Sequence, residues 1–355
     1  MTEARISGVA LRGVRACVPA LTRDLAGEGL IPDEAERERL IKSIGVRSRH
    51  IAPPGVLTSD LCRKAADGLL DELGWARDTI DVLIMVTQSA DYVIPATACA
   101  LQDRLGLGSC LAFDVNLGCS GYAYGLWTAA SLLKTLQVGR PARALVLAGD
   151  VSTSKLLAGD RATIPLFGDA GSATALEIEP DAKDDWFGVF GTDGSGAPHI
   201  MVEAGGLKYP LLPPREPHPP EMAEDLYRKA RLHLNGTEVF NFTLRAVPPL
   251  VEAIFRTSGV TVEDIDYVLL HQANVFMLNH LRKKAGLPED KAPIAMETYG
   301  NTSSASIPLT IADRLSDVFD RPRQLVLMGF GVGWSWSALK LTAGPMPAPR
   351  VVELA

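Results

Sequence analysis

Apolar runs alternate along this chain with stretches of helical periodicity. Runs over 82–87, 111–116, 143–149 and 172–178 predict strands, and the stretches 60–73, 96–105 and 121–136 predict helices. Strands without a polar face imply a sheet covered on both sides. The alternation then returns, with strands over 267–271, 324–329 and 335–341 and helices over 237–256, 274–285 and 303–315. Pro248-Pro249 predicts a kink or break in the first of these helices, because proline removes a backbone donor and clashes with the preceding turn.

The two series match in spacing as well. Ile80-Asp81-Val82-Leu83-Ile84-Met85-Val86-Thr87-Gln88 reads like Ile265-Asp266-Tyr267-Val268-Leu269-Leu270-His271-Gln272, and Leu145–Gly149 returns as Leu325–Gly329. Their starts differ by 185 and 180 residues. Near-constant offsets predict two copies of one α/β unit, residues 1–182 and 183–355. Residues 191–236 are rich in Gly, Pro and charge, with Pro210 to Pro220 among them. That composition predicts a solvated surface excursion, with a lid or partner surface as the alternative.

With 355 residues, 47% of them hydrophobic, the chain can bury a large core. No uncharged apolar stretch of 18 residues predicts a membrane span, and Met1–Arg5 lacks the apolar segment of a secretory signal. Five cysteines at irregular spacings suit a reducing cytoplasm better than a disulfide framework, and no CxxC pair or His-rich cluster suggests a metal. A net charge of −7 argues against general nucleic-acid binding.

Cys17, Cys62, Cys99 and Cys110 read as small buried hydrophobes. Cys119 differs. It stands in Asp114-Val115-Asn116-Leu117-Gly118-Cys119-Ser120-Gly121-Tyr122, between a strand-like run and a helix-like run, with Gly118 and Gly121 beside it. Unpaired N–H groups and the dipole at a helix start favour a thiolate there, and glycine permits the turn a nucleophile needs. His271 closes an apolar run and alone would read as a satisfied core histidine. Asn301, ahead of Thr302-Ser303-Ser304, alone would read as a helix cap.

Taken in order, the Cys119 segment, Leu269-Leu270-His271-Gln272-Ala273-Asn274 and Tyr299-Gly300-Asn301-Thr302-Ser303-Ser304 resemble the ketoacyl-acyl-carrier-protein synthase III branch of the thiolase superfamily. Phe167-Gly168-Asp169-Ala170-Gly171-Ser172-Ala173 is similar to the superfamily's FGD-glycine stretch, and Gly45-Val46-Arg47-Ser48-Arg49-His50-Ile51-Ala52 is similar to another family stretch. The resemblance implies a thiolase fold, five αβαβα layers built from two duplicated halves. It implies a cytoplasmic homodimeric acyltransferase without a cofactor or metal. Cys119 would carry the acyl group. His271 and Asn301 would donate hydrogen bonds to the thioester carbonyl of a malonyl extender as it loses CO₂. The oxyanion hole would combine the backbone N–H groups of Cys119 and Val332, in the turn Gly329–Trp336. Valine replaces a family glycine there and resists positive φ, so a shifted local geometry is expected.

The resemblance further places Arg161, Asn274, Ile94 and Phe240 in substrate binding, Ile94 on the partner subunit's acyl tunnel. It places Arg282, Lys283 and Lys284 in docking of an acyl carrier protein. Where the family has a tryptophan and an arginine for the adenine of coenzyme A, this chain has Arg39 and Ser43. Carrier-borne primers are therefore expected to load faster than coenzyme A thioesters. The expected reaction is decarboxylative Claisen condensation of an acyl thioester with a malonyl thioester, in a fatty-acid or specialised pathway. The alternatives are acyl transfer to oxygen or nitrogen, and a non-catalytic partner subunit.

Overall fold

In the computed structural model, which describes residues 1–181, 184–211 and 220–355, two sheets lie between three layers of helices. The first half holds β1 (Thr2–Ile6), β2 (Val9–Pro19), β3 (Thr22–Asp24), α1 (Glu34–Ile44), β4 (Ser48–His50), α2 (Thr58–Leu73), β5 (Val82–Val86), α3 (Thr97–Arg104), β6 (Leu111–Val115), α4 (Gly121–Leu133), β7 (Arg143–Asp150) and β8 (Ala170–Ile178). There follow β9 (Trp186–Thr192), β10 (Ile200–Met201), α5 (Pro220–Lys229), β11 (His233–Leu234), α6 (Gly236–Ser258), β12 (Tyr267–Leu270), α7 (Val275–Lys284), α8 (Ser306–Arg314), β13 (Arg323–Gly331), β14 (Ser335–Ala343) and β15 (Arg350–Leu354).

One sheet runs β6-β5-β7-β8-β2-β15 and the other β12-β13-β14-β9-β1, touching at the single pair Ala343–Leu11. The duplication is visible in strand sense. β5 is parallel to β7, which is antiparallel to β8, which is antiparallel to β2. β12, β13, β14 and β9 repeat that series of senses. The boundary expected at 182/183 lies outside the described residues, as do positions 212–219 of the proline-rich run.

α4 and α8 form the middle layer. α4 packs on β5 and β7 of one sheet and β13 and β14 of the other, while α8 packs on β2, β8 and β12. Such a helix must be apolar nearly all round, and α4 buries Tyr122, Ala123, Leu126, Ala129, Ala130 and Leu133. α2 and α3 cover the first sheet outside, and α6 the second, with α7 against α6.

Three expectations need correction. Helix α6 continues unbroken through Pro248 and Pro249. The Leu244 carbonyl, four residues before Pro248, accepts a hydrogen bond from Lys284 Nζ at 3.3 Å, which replaces a donor the proline lacks. Cys99 is exposed rather than buried, because it sits on the outer face of α3. Finally, the described part of 191–236 is not merely a surface excursion. Its Ile200, Met201, Val202, Leu211, Leu232 and Leu234 form one wall of the internal cavity described next. No helix among the described residues is long and apolar enough to cross a membrane.

Candidate active site

Between the two halves lies a cavity of about 860 Å³ lined by Cys119, His271 and Asn301 together. Each comes from the end of a different element. Cys119 occupies the turn from β6 into α4, closed by the Gly121 N–H donating to the Gly118 carbonyl at 2.7 Å. That turn is clamped to the other half: Ser120 Oγ lies 2.6 Å from Ser335 Oγ, and Ser337 Oγ donates to the Ser120 carbonyl at 2.9 Å. The fit allows no added atoms. A Cβ on Gly329 would lie 2.6 Å from Ser120 Cα, and one on Gly331 would lie 2.9 Å from Cys119 Sγ.

The backbone N–H groups of Val332 and of Cys119 itself act on Cys119 Sγ, together with the Ser303 hydroxyl, and all three stabilise its charged form. Burial outweighs them and pushes the thiol up to about 11. The thiolate expected from the helix terminus is thus overruled by desolvation in the unliganded protein, since a negative charge loses more solvation there than the dipole returns. Val332 itself needs no special backbone. Gly331 and Gly333 take the positive φ values on either side of it, and Ser303 is the one non-glycine residue with positive φ among the described residues.

His271 extends β12, its N–H donating to the Met328 carbonyl at 2.8 Å. Its ring is buried, with Nδ1 2.7 Å from Ser306 Oγ. Burial pulls it down to about 3, opposed only by a backbone hydrogen bond at Ser303, so the ring is neutral at physiological pH. The next letters of the motif have separate work. Gln272 ties down the backbone, its Nε2 donating to the Leu270 carbonyl at 2.7 Å and its Oε1 accepting from the Ala295 N–H at 3.0 Å. Asn274 caps α7, its Oδ1 accepting from the Met277 N–H at 2.8 Å, while also lining the cavity.

Asn301 is oriented by its neighbours. Its Oδ1 accepts from the Ser303 N–H at 2.9 Å, so Nδ2 is the donor end, and it reaches the Ala273 carbonyl at 3.4 Å. The FGD stretch holds its backbone: Gly168 N–H donates to the Asn301 carbonyl at 3.1 Å, and Asn301 N–H to the Leu166 carbonyl at 2.8 Å. Arg49 supports that stretch from behind, donating to the Phe167 carbonyl at 3.0 Å. The Gly45–Ala52 stretch therefore reaches the site through Phe167.

A half-buried nucleophile facing two backbone N–H groups, with a neutral histidine and an oriented amide in one cavity, suits acyl chemistry. The chain matches the models for 3-oxoacyl-[acyl-carrier-protein] synthase III over residues 113–194 and for its C-terminal part over residues 255–343. It is 33% identical over 308 residues to beta-ketoacyl-[acyl-carrier-protein] synthase III 2 of Bacteroides thetaiotaomicron, covering 86% of this chain and 88% of the relative. This chain belongs to the ketoacyl-acyl-carrier-protein synthase III family. A second synthase III, from Symbiobacterium thermophilum, is 34% identical over 301 residues, covering 84% of this chain and 88% of that one. Among solved structures, a 3-oxoacyl-(acyl-carrier-protein) synthase from Burkholderia xenovorans superposes with a TM-score of 0.90 at 40% identity, covering 99% of both chains. The fold is the thiolase fold of the synthase III family.

Not every residue assigned by resemblance meets the cavity. Arg161 pairs with Glu36 at 2.5 Å on the surface and is not among the lining residues. Ile94 is 85% exposed, next to lining residues Tyr92 and Val93. Phe240 packs tilted against Phe276 and edge-on to His280, with ring centroids 5.6 and 5.8 Å away, outside the lining set. Of the basic cluster, Arg282 turns inward to the Ala292 carbonyl, while Lys283 and Lys284 are both exposed, Lys284 reaching the Leu244 carbonyl at the surface. Arg39 and Ser43 are exposed on α1 and absent from the lining.

Sequence reading took Ser306 and Gly331 only as parts of motifs, without a role of their own, and missed Asp150 and Lys155; all four support or line the site. Asp150 is buried and accepts from the Gln88 N–H at 2.7 Å in one half and from Ser304 Oγ at 2.8 Å in the other. A buried Asp at the end of an apolar strand, as in Leu145-Val146-Leu147-Ala148-Gly149-Asp150, was the one available signal.

Proposed function

We propose that this chain catalyses decarboxylative condensation of an acyl thioester with a malonyl thioester, working as a homodimer in the cytoplasm with no cofactor. The observation that carries this reading is the convergence of Cys119, neutral His271 and the Asn301 amide on one cavity. In the first step Cys119 Sγ attacks the acyl carbonyl. The acyl group moves to sulfur, the carrier thiol leaves, and the Sγ proton ends on that thiol. The N–H groups of Cys119 and Val332, already turned to Sγ, would hold the oxyanion that forms between these states.

In the second step the malonyl C–C bond breaks and CO₂ departs. Its electron pair passes to the thioester, whose oxygen accepts hydrogen bonds from His271 and Asn301. The enolate carbon then attacks the acyl group on Cys119, returning sulfur as the leaving group. A neutral imidazole suits this role, because it donates without adding a cation that would also hold the malonyl carboxylate. The exposed run Tyr92-Val93-Ile94 beside the cavity favours a dimer in which a second copy covers it. Exposed Lys283 supports an acyl carrier protein as the partner. The test is release of CO₂ from malonyl carrier protein by pre-acylated protein, with the β-ketoacyl product detected by mass. Acyl transfer to alcohols or amines with no CO₂ release would overturn the reading.

A further inference from the structure

Lys155 is the one lysine or arginine among the described residues that line the cavity. It ends the short helix Ser152–Lys155 and lines the cavity with Gln88, Ser89, Asp91 and Ser152. This polar end adjoins the nucleophile: Gln88 Oε1 lies 2.3 Å from where a Cβ of Gly118 would stand, one residue before Cys119. Nζ donates one hydrogen bond, to the Gln88 carbonyl, and forms no ion pair among the described residues. Its ammonium has three protons to place.

Of the two acids at this end, Asp150 is fully engaged and Asp91 only in part. Asp150 accepts from Thr87 Oγ1, the Gln88 N–H and Ser89 Oγ on one oxygen, and from the Ser304 N–H and Oγ on the other. Asp91 faces Arg104 at 3.8 Å through Oδ2, while its buried Oδ1 has no hydrogen-bond partner. Burial pulls the Lys155 ammonium down, with only the charge of Asp150 opposing. A half-buried ammonium short of partners is costly unless something in the cavity completes its shell.

We propose that Lys155 selects the primer: the acyl group loaded on Cys119 carries a carboxylate at its far end, which takes the free N–H groups of Lys155. This rests on the condensing reading and names the substrate class for the same site. Loading is ordinary transthioesterification, in which the Cys119 S–H proton leaves on the carrier thiol and the distal carboxylate is unchanged. A charge-assisted hydrogen bond of about 1.5–3 kcal/mol corresponds to roughly 10–100-fold in loading rate.

The experiment compares pantetheine thioesters of equal length, four to eight carbons, ending in either a methyl or a carboxylate, with Cys119 acylation followed by intact-protein mass. Wild-type protein should load the carboxylate member of its best pair at least ~10-fold faster. Lys155→Met should remove that preference, slowing carboxylate-ended chains at least ~10-fold more than methyl-ended ones. Lys155→Gln, neutral but still able to donate to the Gln88 carbonyl, should remove it too, and decides the matter if the Met variant folds poorly. Faster loading of methyl-ended chains at every length, or equal slowing of both members by the Lys155 variants, overturns this inference and leaves the condensing reading intact. No acylation by any thioester overturns both.

Discussion

Gly331 sets its α-carbon against the side chain of Cys119, so that an added methyl would lie 2.7 Å from Cys119 Cβ and 2.9 Å from Sγ. The strand that ends at Gly331 thereby fixes how far the sulfur stands from the N–H of Val332. Gly331→Ala should force the thiol aside, at a cost of about 1–3 kcal/mol as overpacking. Acyl loading should fall at least ~10-fold with near-normal circular dichroism. Wild-type loading by the variant would show that the contact has no part in positioning sulfur.

Alkylation of the unliganded protein should be led by exposed Cys99, with Cys119 slow. A thiol at about 11 is roughly one part in ten thousand thiolate at pH 7. Raising the pKa of an acid favours its neutral form, so reactivity climbs with pH. Iodoacetamide labelling at Cys119 should rise about tenfold per pH unit from 7 to 10, by peptide mapping. A plateau near neutral pH would mean that the helix start outweighs burial.

His271→Ala and Asn301→Ala should each slow CO₂ release by about 10²–10³-fold, with much smaller effects on Cys119 loading. Ser306→Ala should slow CO₂ release less, about tenfold, by freeing the ring that Ser306 Oγ holds at 2.7 Å. Because burial keeps His271 down near 3, its protonated form is scarce above pH 5. The rate of CO₂ release from the acylated protein should therefore show no inflection from His271 between pH 5 and 8. An inflection near 6.5 that vanishes in His271→Ala would contradict the buried neutral ring.

Lys283→Glu should lower loading from an acyl carrier protein several-fold, leaving loading from small thioesters and the melting temperature unchanged. Lys284→Met should instead cost about 0.5–1.5 kcal/mol of stability, because the Leu244 carbonyl before Pro248 loses its donor. Rates and thermal melts on both variants separate docking from helix support. Equal loss on both kinds of thioester in Lys283→Glu would exclude a docking role.

That Cys119, His271 and Asn301 share one cavity was legible because each sits in a continuous motif whose neighbours shape it locally. Gly118 and Gly121 allow the turn at Cys119, and Gln272 and Asn274 anchor the two sides of His271. Ser306 and Gly331 were not legible, since their roles exist only once 35 residues or an entire half has folded back. β2 escaped notice because Arg12 and Arg15 interrupt its apolar run. Both reach acids on other elements, Glu177 at 2.9 Å and Glu72 at 3.3 Å. α1, with six of its 11 residues charged, has its clearest signals at its ends, where Asp33 caps the start and Gly45 takes the left-handed C-cap. The wall over 200–205 was masked by glycine and proline around Ile200, Met201 and Val202.

Asp150 also bears on how a doubled chain becomes one protein. Its two oxygens collect donors from Gln88 and Ser304, which belong to different copies of the repeated unit. Either copy released from the other would strand that carboxylate, or the serine, in an interior without its complement. The two units are therefore not interchangeable. One keeps the sulfur and the other keeps the hydrogen-bond donors, and mutational drift in either is answerable to the seam they share.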